Sequence, residues 1–273
     1  MTFDFLPLHF RFTARDAIQF SQGSTGNLLR GVLGASLHRV APEAYTRLFE
    51  ASGGPGGPSG LADRPRPFVL RIRPLDGILV RPGATFEVTV NLFAIRQQWS
   101  DWLAAALADA GQAGFGPGRG RAVLDGLDAP PSPVCLPLEP EIPAATYVAL
   151  EFLTPTELKP VNRPEFAVLF ARVRDRIATL SSCYGAGPLA IDFRGMGERA
   201  KAIRNLHIDV QMCDIERRSS GGQVHSIGGF TGTAEYEGDL SEFVPYLRAA
   251  SIAGVGRHTV WGNGEVVITR CGR

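Results

Sequence analysis

The chain has 273 residues, 44% of them hydrophobic and 20% charged, with a formal net charge of +1. That length suits two ordinary domains or one large one, and the near-neutral balance excludes capture of a polyanion by overall charge, so anion binding requires local clusters. Cys135, Cys183, Cys213 and Cys271 are scattered, with no C-x-x-C pair and no histidine at ligand spacing, which leaves no recognisable zinc motif or disulfide framework.

From the N-terminus, Leu8, Phe10 and Phe12 alternate with His9 and Arg11, which predicts a strand over about 6–13. A helix is expected over about 25–40, followed by a mobile Gly/Pro/Ser-rich insertion at 51–67. Strands follow at 68–73 and 85–93, the second with Phe86, Val88 and Val90 in alternation. Trp99, Trp102, Leu103, Ala106, Leu107 and Ala110 recur at helical spacing, with Ser100 placed to cap the start. The turn Gly114-Phe-Gly-Pro-Gly-Arg-Gly-Arg121 leads into a strand at 122–127. The order is β-α-β-β-α-β, the ferredoxin-like arrangement.

Six prolines between 129 and 143 favour an extended, semi-rigid connection. The expected domains are therefore 1–128 and 144–273, joined by a linker at 129–143. The second half repeats the first. A strand is predicted at 146–153, after which TPTEL begins a loop. Phe166, Leu169, Phe170, Val173, Ile177 and Leu180 mark a long amphipathic helix with Pro164 at its entry. Paired strands at 202–215 and 228–236 flank the loop 216–229. Leu240, Phe243, Val244 and Leu247 form a closing helix, and a glycine loop and a last strand end the chain. The fold class expected is α+β: tandem ferredoxin-like (RRM-like, βαββαβ) domains with a C-terminal glycine-rich loop.

That loop, GVGRHTVWGNG at 254–264, sets Arg257 and His258 among Gly254, Gly256, Gly262 and Gly264. Such glycines are expected to leave backbone N–H groups open to a phosphate chain. Its order is wrong for the nucleotide loops. A dinucleotide fingerprint follows a strand and opens a helix, and its third glycine would fall at Thr259; the Gly-Lys-Ser/Thr of a Walker loop is absent. A helix-to-strand loop instead suits an extended anion such as an RNA backbone.

Four stretches then carry a resemblance: GNLLRGVLGASLHR, GFGPGRGR, LEFLTPTELKP, and GGFTGTAEYEG followed by GVGRHTVWGNG. Together they resemble the CRISPR-associated pre-crRNA-processing endoribonucleases of the RAMP superfamily, over about residues 26 to 268. The resemblance implies two ferredoxin-like domains, CRISPR repeat RNA as partner, and metal-independent cleavage at the 3′ base of the repeat stem. It implies no metal and no cofactor, other CRISPR effector subunits as further partners, and a monomer or homodimer. The glycine loop alone is shared by most RAMP proteins. A non-catalytic RAMP subunit that binds crRNA in an effector complex is the alternative, and a tandem ferredoxin-like ligand-binding regulator a third. Arg257-His258 stands where the family more often has lysine, and Asn263 where an apolar residue is common. No apolar run approaches the ~18 residues of a membrane helix, and the start lacks a signal-peptide pattern, so a cytoplasmic location is expected.

Metal-free RNA cleavage uses the substrate's own 2′-OH as nucleophile; the protein aligns it, moves protons and stabilises the phosphorane. Histidine is the natural shuttle near neutral pH. On a helical wheel Leu28, Leu29, Val32, Leu33, Leu37 and Val40 face the core, while Asn27, Gly31, Gly34 and His38 lie opposite. Glycines inside a helix cost ~1 kcal/mol each relative to Ala, and on an open face they point to close approach of another backbone. The family commonly carries its catalytic histidine at or just after this helix, which favours His38 over an ordinary histidine at a helix C-terminus. Tyr45 is a candidate to orient the scissile phosphate, with packing on Leu48 and Phe49 as the competing reading. His225 is the second catalytic candidate, at an expected hairpin tip where Arg217 and Arg218 would meet the stem. Arg30, Arg39, Arg119, Arg121 and Arg204 are candidate RNA contacts, as are Gly254, Gly256, Arg257, His258 and Thr259 of the loop. His9 and His207 read as structural, and Trp261 as either a base-stacking residue or an anchor for the loop.

Overall fold

The computed structural model describes residues 1–50, 64–95, 99–130, 132–140, 144–159, 163–213, 216–218, 224–226 and 228–272. Two compact units emerge. The N-terminal unit comprises Asp4–Val134 with Val260–Gly262; the C-terminal unit comprises Met1–Phe3, Cys135–Thr259 and Asn263–Arg273.

In the N-terminal unit β1 (Thr2–Ala14) buries Leu8, Phe10 and Phe12 on one face, as side-chain alternation requires. It is followed by β2 (Ile18–Gln19), α1 (Thr25–Val40), α2 (Pro42–Phe49), β3 (Phe68–Arg71), β4 (Leu79–Val80), β5 (Thr85–Leu92), α3 (Trp99–Ala113) and β6 (Ala122–Asp128). The sheet order is β3-β5-β1-β6 and every neighbouring pair is antiparallel, the ferredoxin-like permutation. Phe10 sits opposite Val88 on one side and Leu127 on the other, which locks the apolar face inward. Phe12 stacks on Phe86 with centroids 5.1 Å apart, and Phe115 meets Phe12 edge-on at 5.5 Å.

One expectation lies outside the described residues, one changes, and one element is new. The Gly/Pro/Ser-rich insertion lies outside the described residues over 51–63. Ser100 is inside α3, one residue past Trp99, and so is not its cap. The eight-residue α2 was not anticipated; Pro42 occupies its first turn, and Ala44, Leu48 and Phe49 are buried.

The proline-rich stretch holds a strand, β7 (Val134–Pro137), which pairs with β1. Just beyond it, the Leu138 N–H donates to the Met1 carbonyl at 2.9 Å. Pro137 is tolerated because it stands at the strand's end.

The C-terminal unit contains β8 (Tyr147–Thr156), α4 (Phe166–Tyr184), α5 (Phe193–Ala200), β9 (Arg204–Cys213), β10 (Glu216–Arg218), β11 (Val224–Ser226), β12 (Gly229–Glu237), α6 (Val244–Ala253) and β13 (Val266–Gly272); of the 3-10 turn at Thr259–Trp261 it holds Thr259, while Val260 and Trp261 belong to the N-terminal unit. Its sheet order, β13-β8-β12-β9, is the same permutation. The protein is thus an α+β chain of tandem ferredoxin-like domains. Phe166, Phe170, Phe243 and Tyr246 form the ring cluster between α4 and α6, and the Tyr236 hydroxyl donates to the Pro164 carbonyl at 2.5 Å. TPTEL begins within β8 rather than after it. Pro155 is accommodated there because the pairing with β12 is irregular between Phe230 and Gly232, opposite Thr156 and Phe152. His207 lies on the exposed edge strand β9, so its alternation with apolar neighbours does not bury it.

Candidate functional site

An open cleft of about 340 Å³ lies on α1 and α2, lined by Arg30, Gly31, Gly34, Ala35, His38, Tyr45 and Phe49. The chain turns between the helices at Ala41, whose N–H closes α1 on the Leu37 carbonyl while its own carbonyl receives the Tyr45 N–H. That turn returns Tyr45 to His38, ring edge to ring face at 5.0 Å between centroids. Tyr45 in turn stacks on Phe49 at 5.3 Å. Arg30 lies over the rings of Phe49 and Trp261, 5.3 and 5.4 Å from their centroids, a placement that holds a guanidinium by its faces. The cleft therefore gathers an exposed imidazole, a phenol and a cation, three of the residues singled out from the sequence.

The helix wheel needs correction at two positions. Gly34 is buried, because the Phe49 ring lies against it; a Cβ there would meet Phe49 Cε1 at 3.1 Å. Val40 is 42% exposed rather than in the core. The close backbone approach expected of these glycines occurs instead at Gly26, where a Cβ would stand 1.8 Å from the Trp261 carbonyl oxygen. Gly31 faces open space.

Several of the anticipated cationic contacts have carboxylate partners. Arg39 binds both oxygens of Asp109 and the Ser36 hydroxyl, tying α1 to α3. Arg121 binds Asp16, with Nε donating at 2.8 Å. Each guanidinium holds its carboxyl below the ordinary carboxylate range, through the hydrogen bond first of all. Arg204 pairs with Glu237. Arg119 is exposed and stands in the left-handed region at φ 48°, at the corner of the turn closed by Phe115 and Gly120. His225 is not at a turn: it sits on β11 opposite Arg217 of β10, with Arg218 opposite Val224. The intervening 219–223 lies outside the described residues.

The glycine loop is less open than its sequence suggests. The Gly254, Val255, Arg257 and Gly264 N–H groups donate to the carbonyls of Ala250, Gly264, Glu157 and Pro155, and Glu265 donates to the Thr154 hydroxyl. Gly254 and Thr259 are buried, the Thr259 methyl lying 3.1 Å from where a Gly254 Cβ would be. Arg257 projects outward, and His258 holds a left-handed φ of 63°. Glu157, the acidic residue of the TPTEL stretch, faces both side chains: Arg257 Nη1 donates to it at 3.0 Å and His258 Nε2 stands 3.4 Å away. Only its place beside a loop distant in sequence reveals it. At the loop's entry Arg176 Nε donates to the Ala253 carbonyl at 2.9 Å, while its Nη2 is buried without a partner; burial pushes this guanidinium down to about 10. Among the described residues no group of three or more His, Cys, Asp or Glu is placed to hold a metal ion, and no helix is long and apolar enough to cross a membrane.

Comparison with known proteins finds matches to both halves of the chain. Residues 150–266 match the family model of the CRISPR-associated endoribonuclease Cas6, and residues 3–134 match a second model described as an N-terminal domain. No curated protein matches significantly. Among solved structures, a Thermus thermophilus Cas6 is similar at TM-score 0.57 and 15% identity, covering 98% of this chain and 99% of that one. The product complex of the same Cas6 is similar at TM-score 0.63 and 17% identity, with 97% and 99% covered. A RAMP protein binding different RNA substrates is similar at TM-score 0.52 and 12% identity, with 97% and 100% covered. These matches bear out the resemblance to the CRISPR-associated RAMP processing endoribonucleases.

Proposed function

We propose that the chain is a metal-independent endoribonuclease that binds CRISPR repeat RNA and cuts pre-crRNA within the repeat, giving mature crRNAs for antiviral defence. The observation that carries this reading is the cleft that brings His38, Tyr45 and Arg30 together in a chain with a Cas6 family match. In the proposed reaction the 2′ oxygen attacks the adjacent phosphorus and loses its proton, and the P–O5′ bond breaks as the leaving 5′ oxygen gains one. A 2′,3′-cyclic phosphate and a 5′ hydroxyl result. His38 carries one of these protons, because it is the histidine that lines the cleft together with Arg30 and Tyr45. Arg30 supports the charge that builds on the equatorial oxygens, and Tyr45 sets the imidazole's orientation. His225 is the second proton-transfer candidate. Arg257, His258 and Gly256 are the loop's candidates for phosphate contact, whereas burial of Gly254 and Thr259 assigns them to the loop's own packing. Repeat RNA and other CRISPR effector subunits are the proposed partners, in the cytoplasm.

The test is incubation with repeat RNA in EDTA, alongside substrate carrying a 2′-deoxy nucleotide at the cut. Cleavage that survives EDTA and is abolished by the deoxy nucleotide is the expected result. A requirement for added metal would overturn the mechanism. If wild type binds repeat RNA but never cuts it, the chain is a binding subunit.

A further inference from the structure

Glu157 stands just past the end of β8 with its carboxylate turned to three basic side chains of its own unit. Arg257 Nη1 donates to Oε1 at 3.0 Å, Lys159 Nζ is 3.7 Å from the same oxygen, and His258 Nε2 is 3.4 Å from Oε2. The Glu157 carbonyl also accepts the Arg257 N–H at 3.2 Å, and a Cβ on Gly256 would lie 2.3 Å from that carbonyl oxygen. The glycine at 256 thus lets the loop settle directly onto Glu157. The Glu157 side chain is 18% exposed and that of Arg257 54%, so the anion lies beneath a cation that faces solvent. Two oxygens of a single anion, each facing a different basic side chain, are what a phosphodiester would also present.

We infer that Glu157 is a specificity-determining residue: it occupies the cations of the glycine loop, so that RNA engages them only by displacing it. The inference rests on the RNA-binding reading above. Arg257 and Lys159 against Glu157 leave one net positive charge at this point; without the carboxylate charge there are two. A loosely held strand has only backbone attraction to offer, which carries no sequence information. An RNA positioned by contacts elsewhere presents its phosphate at a high effective concentration and competes successfully with the carboxylate. Glu157 therefore penalises non-cognate RNA more than cognate RNA.

Glu157→Gln tests this, because it keeps the size and an acceptor for Arg257 while removing the charge. Affinity for a non-repeat single-stranded RNA is expected to rise about three- to tenfold at about 0.1 M salt. The plot of log affinity against log salt should steepen by about 0.7, one further phosphate contact on a single strand. Affinity for repeat RNA should rise less, so discrimination falls. Arg257→Ala alone should weaken non-repeat binding less than about threefold, since Glu157 already holds that side chain, and it should abolish the gain from Glu157→Gln. Unchanged or weaker non-repeat binding by the Gln variant overturns the inference. Should that variant lose its thermal transition, Arg257→Ala decides, and a loss of about tenfold or more on non-repeat RNA overturns it. Wild type that binds no RNA sinks both this inference and the endoribonuclease reading. Wild type that cuts repeat RNA, paired with a Gln variant showing no gain, sinks this inference alone.

Discussion

The imidazole of His38 meets the ring of Tyr45 edge to face, with planes at 87° and centroids 5.0 Å apart. A catalytic base or acid works only in a narrow range of orientations, and this contact restricts how the imidazole turns. In single-turnover cleavage of repeat RNA, His38→Ala is expected to lose ~10² to 10⁴ in rate, with RNA affinity nearly unchanged. Tyr45→Phe should retain most of the rate because the ring remains, and Tyr45→Ala should lose at least about tenfold. Equal losses for the two Tyr45 variants would move the role from the ring to the hydroxyl.

Two glycines of the same helix should answer differently to a single methyl group. Gly26→Ala drives a Cβ into the Trp261 carbonyl, a backbone oxygen that cannot turn aside, and a marked fall in Tm is expected. Gly31→Ala meets nothing within 4 Å and should raise helix stability by up to about 1 kcal/mol. Because Gly31 lines the cleft, the same methyl should slow cleavage. Unaltered cleavage in a stabilised Gly31→Ala protein would remove Gly31 from the substrate's path.

Acid should weaken the N-terminal unit through Asp109. Its carboxyl is held below its ordinary value of 3.8 by Arg39. The unfolded chain then binds the proton more readily than the folded one. The contribution is therefore present above the ordinary value and lost as pH falls through the folded one. Asp16, beside Arg121, and Glu87, beside His9, shift in the same direction. Urea midpoints measured between about pH 5 and pH 3 should fall less steeply for Asp109→Asn than for wild type; parallel slopes would show that the pair adds nothing to folding.

Arg176 combines a useful hydrogen bond with an unsatisfied one, its Nε capping the Ala253 carbonyl and its Nη2 buried alone. Replacing a buried charge by an apolar side chain of similar length is often close to neutral, whereas truncation leaves a void. Arg176→Met should remain within about 1 kcal/mol of wild type in urea unfolding, and Arg176→Ala should lose about 2 kcal/mol or more. A Met variant as unstable as the Ala variant would mean that the Ala253 bond outweighs the burial of the charge.

The regular elements were legible where periodicity is long. Alternation at Phe10 and Phe12, and helical spacing from Phe166 to Leu180, are set by residues close in sequence. The α2 helix gave too few turns for its period to register, and the prolines around β7 masked a strand. At the candidate site the sequence picked out His38, Arg30 and Tyr45 as residue types, and the cleft gathers them. It could not show that Arg39 is engaged by Asp109, 70 residues away, or that Glu157 lies beneath Arg257, 100 residues on. Whether an arginine is free or paired depends on side chains that only the fold brings near.

The exchange of short segments between the units bears on how the protein is made. Val260–Gly262 counts with Asp4–Val134, and Met1–Phe3 with the unit that starts again at Cys135. Chains emerge from the ribosome N-terminus first, at roughly 5–20 residues per second. The earlier ferredoxin-like domain can therefore form its sheet while translation continues, but Gly26 and Arg30 receive their Trp261 partner only after residue 261 has emerged. Arg30, which lines the cleft around His38, thus gains one of its two ring partners long after its own helix has been made.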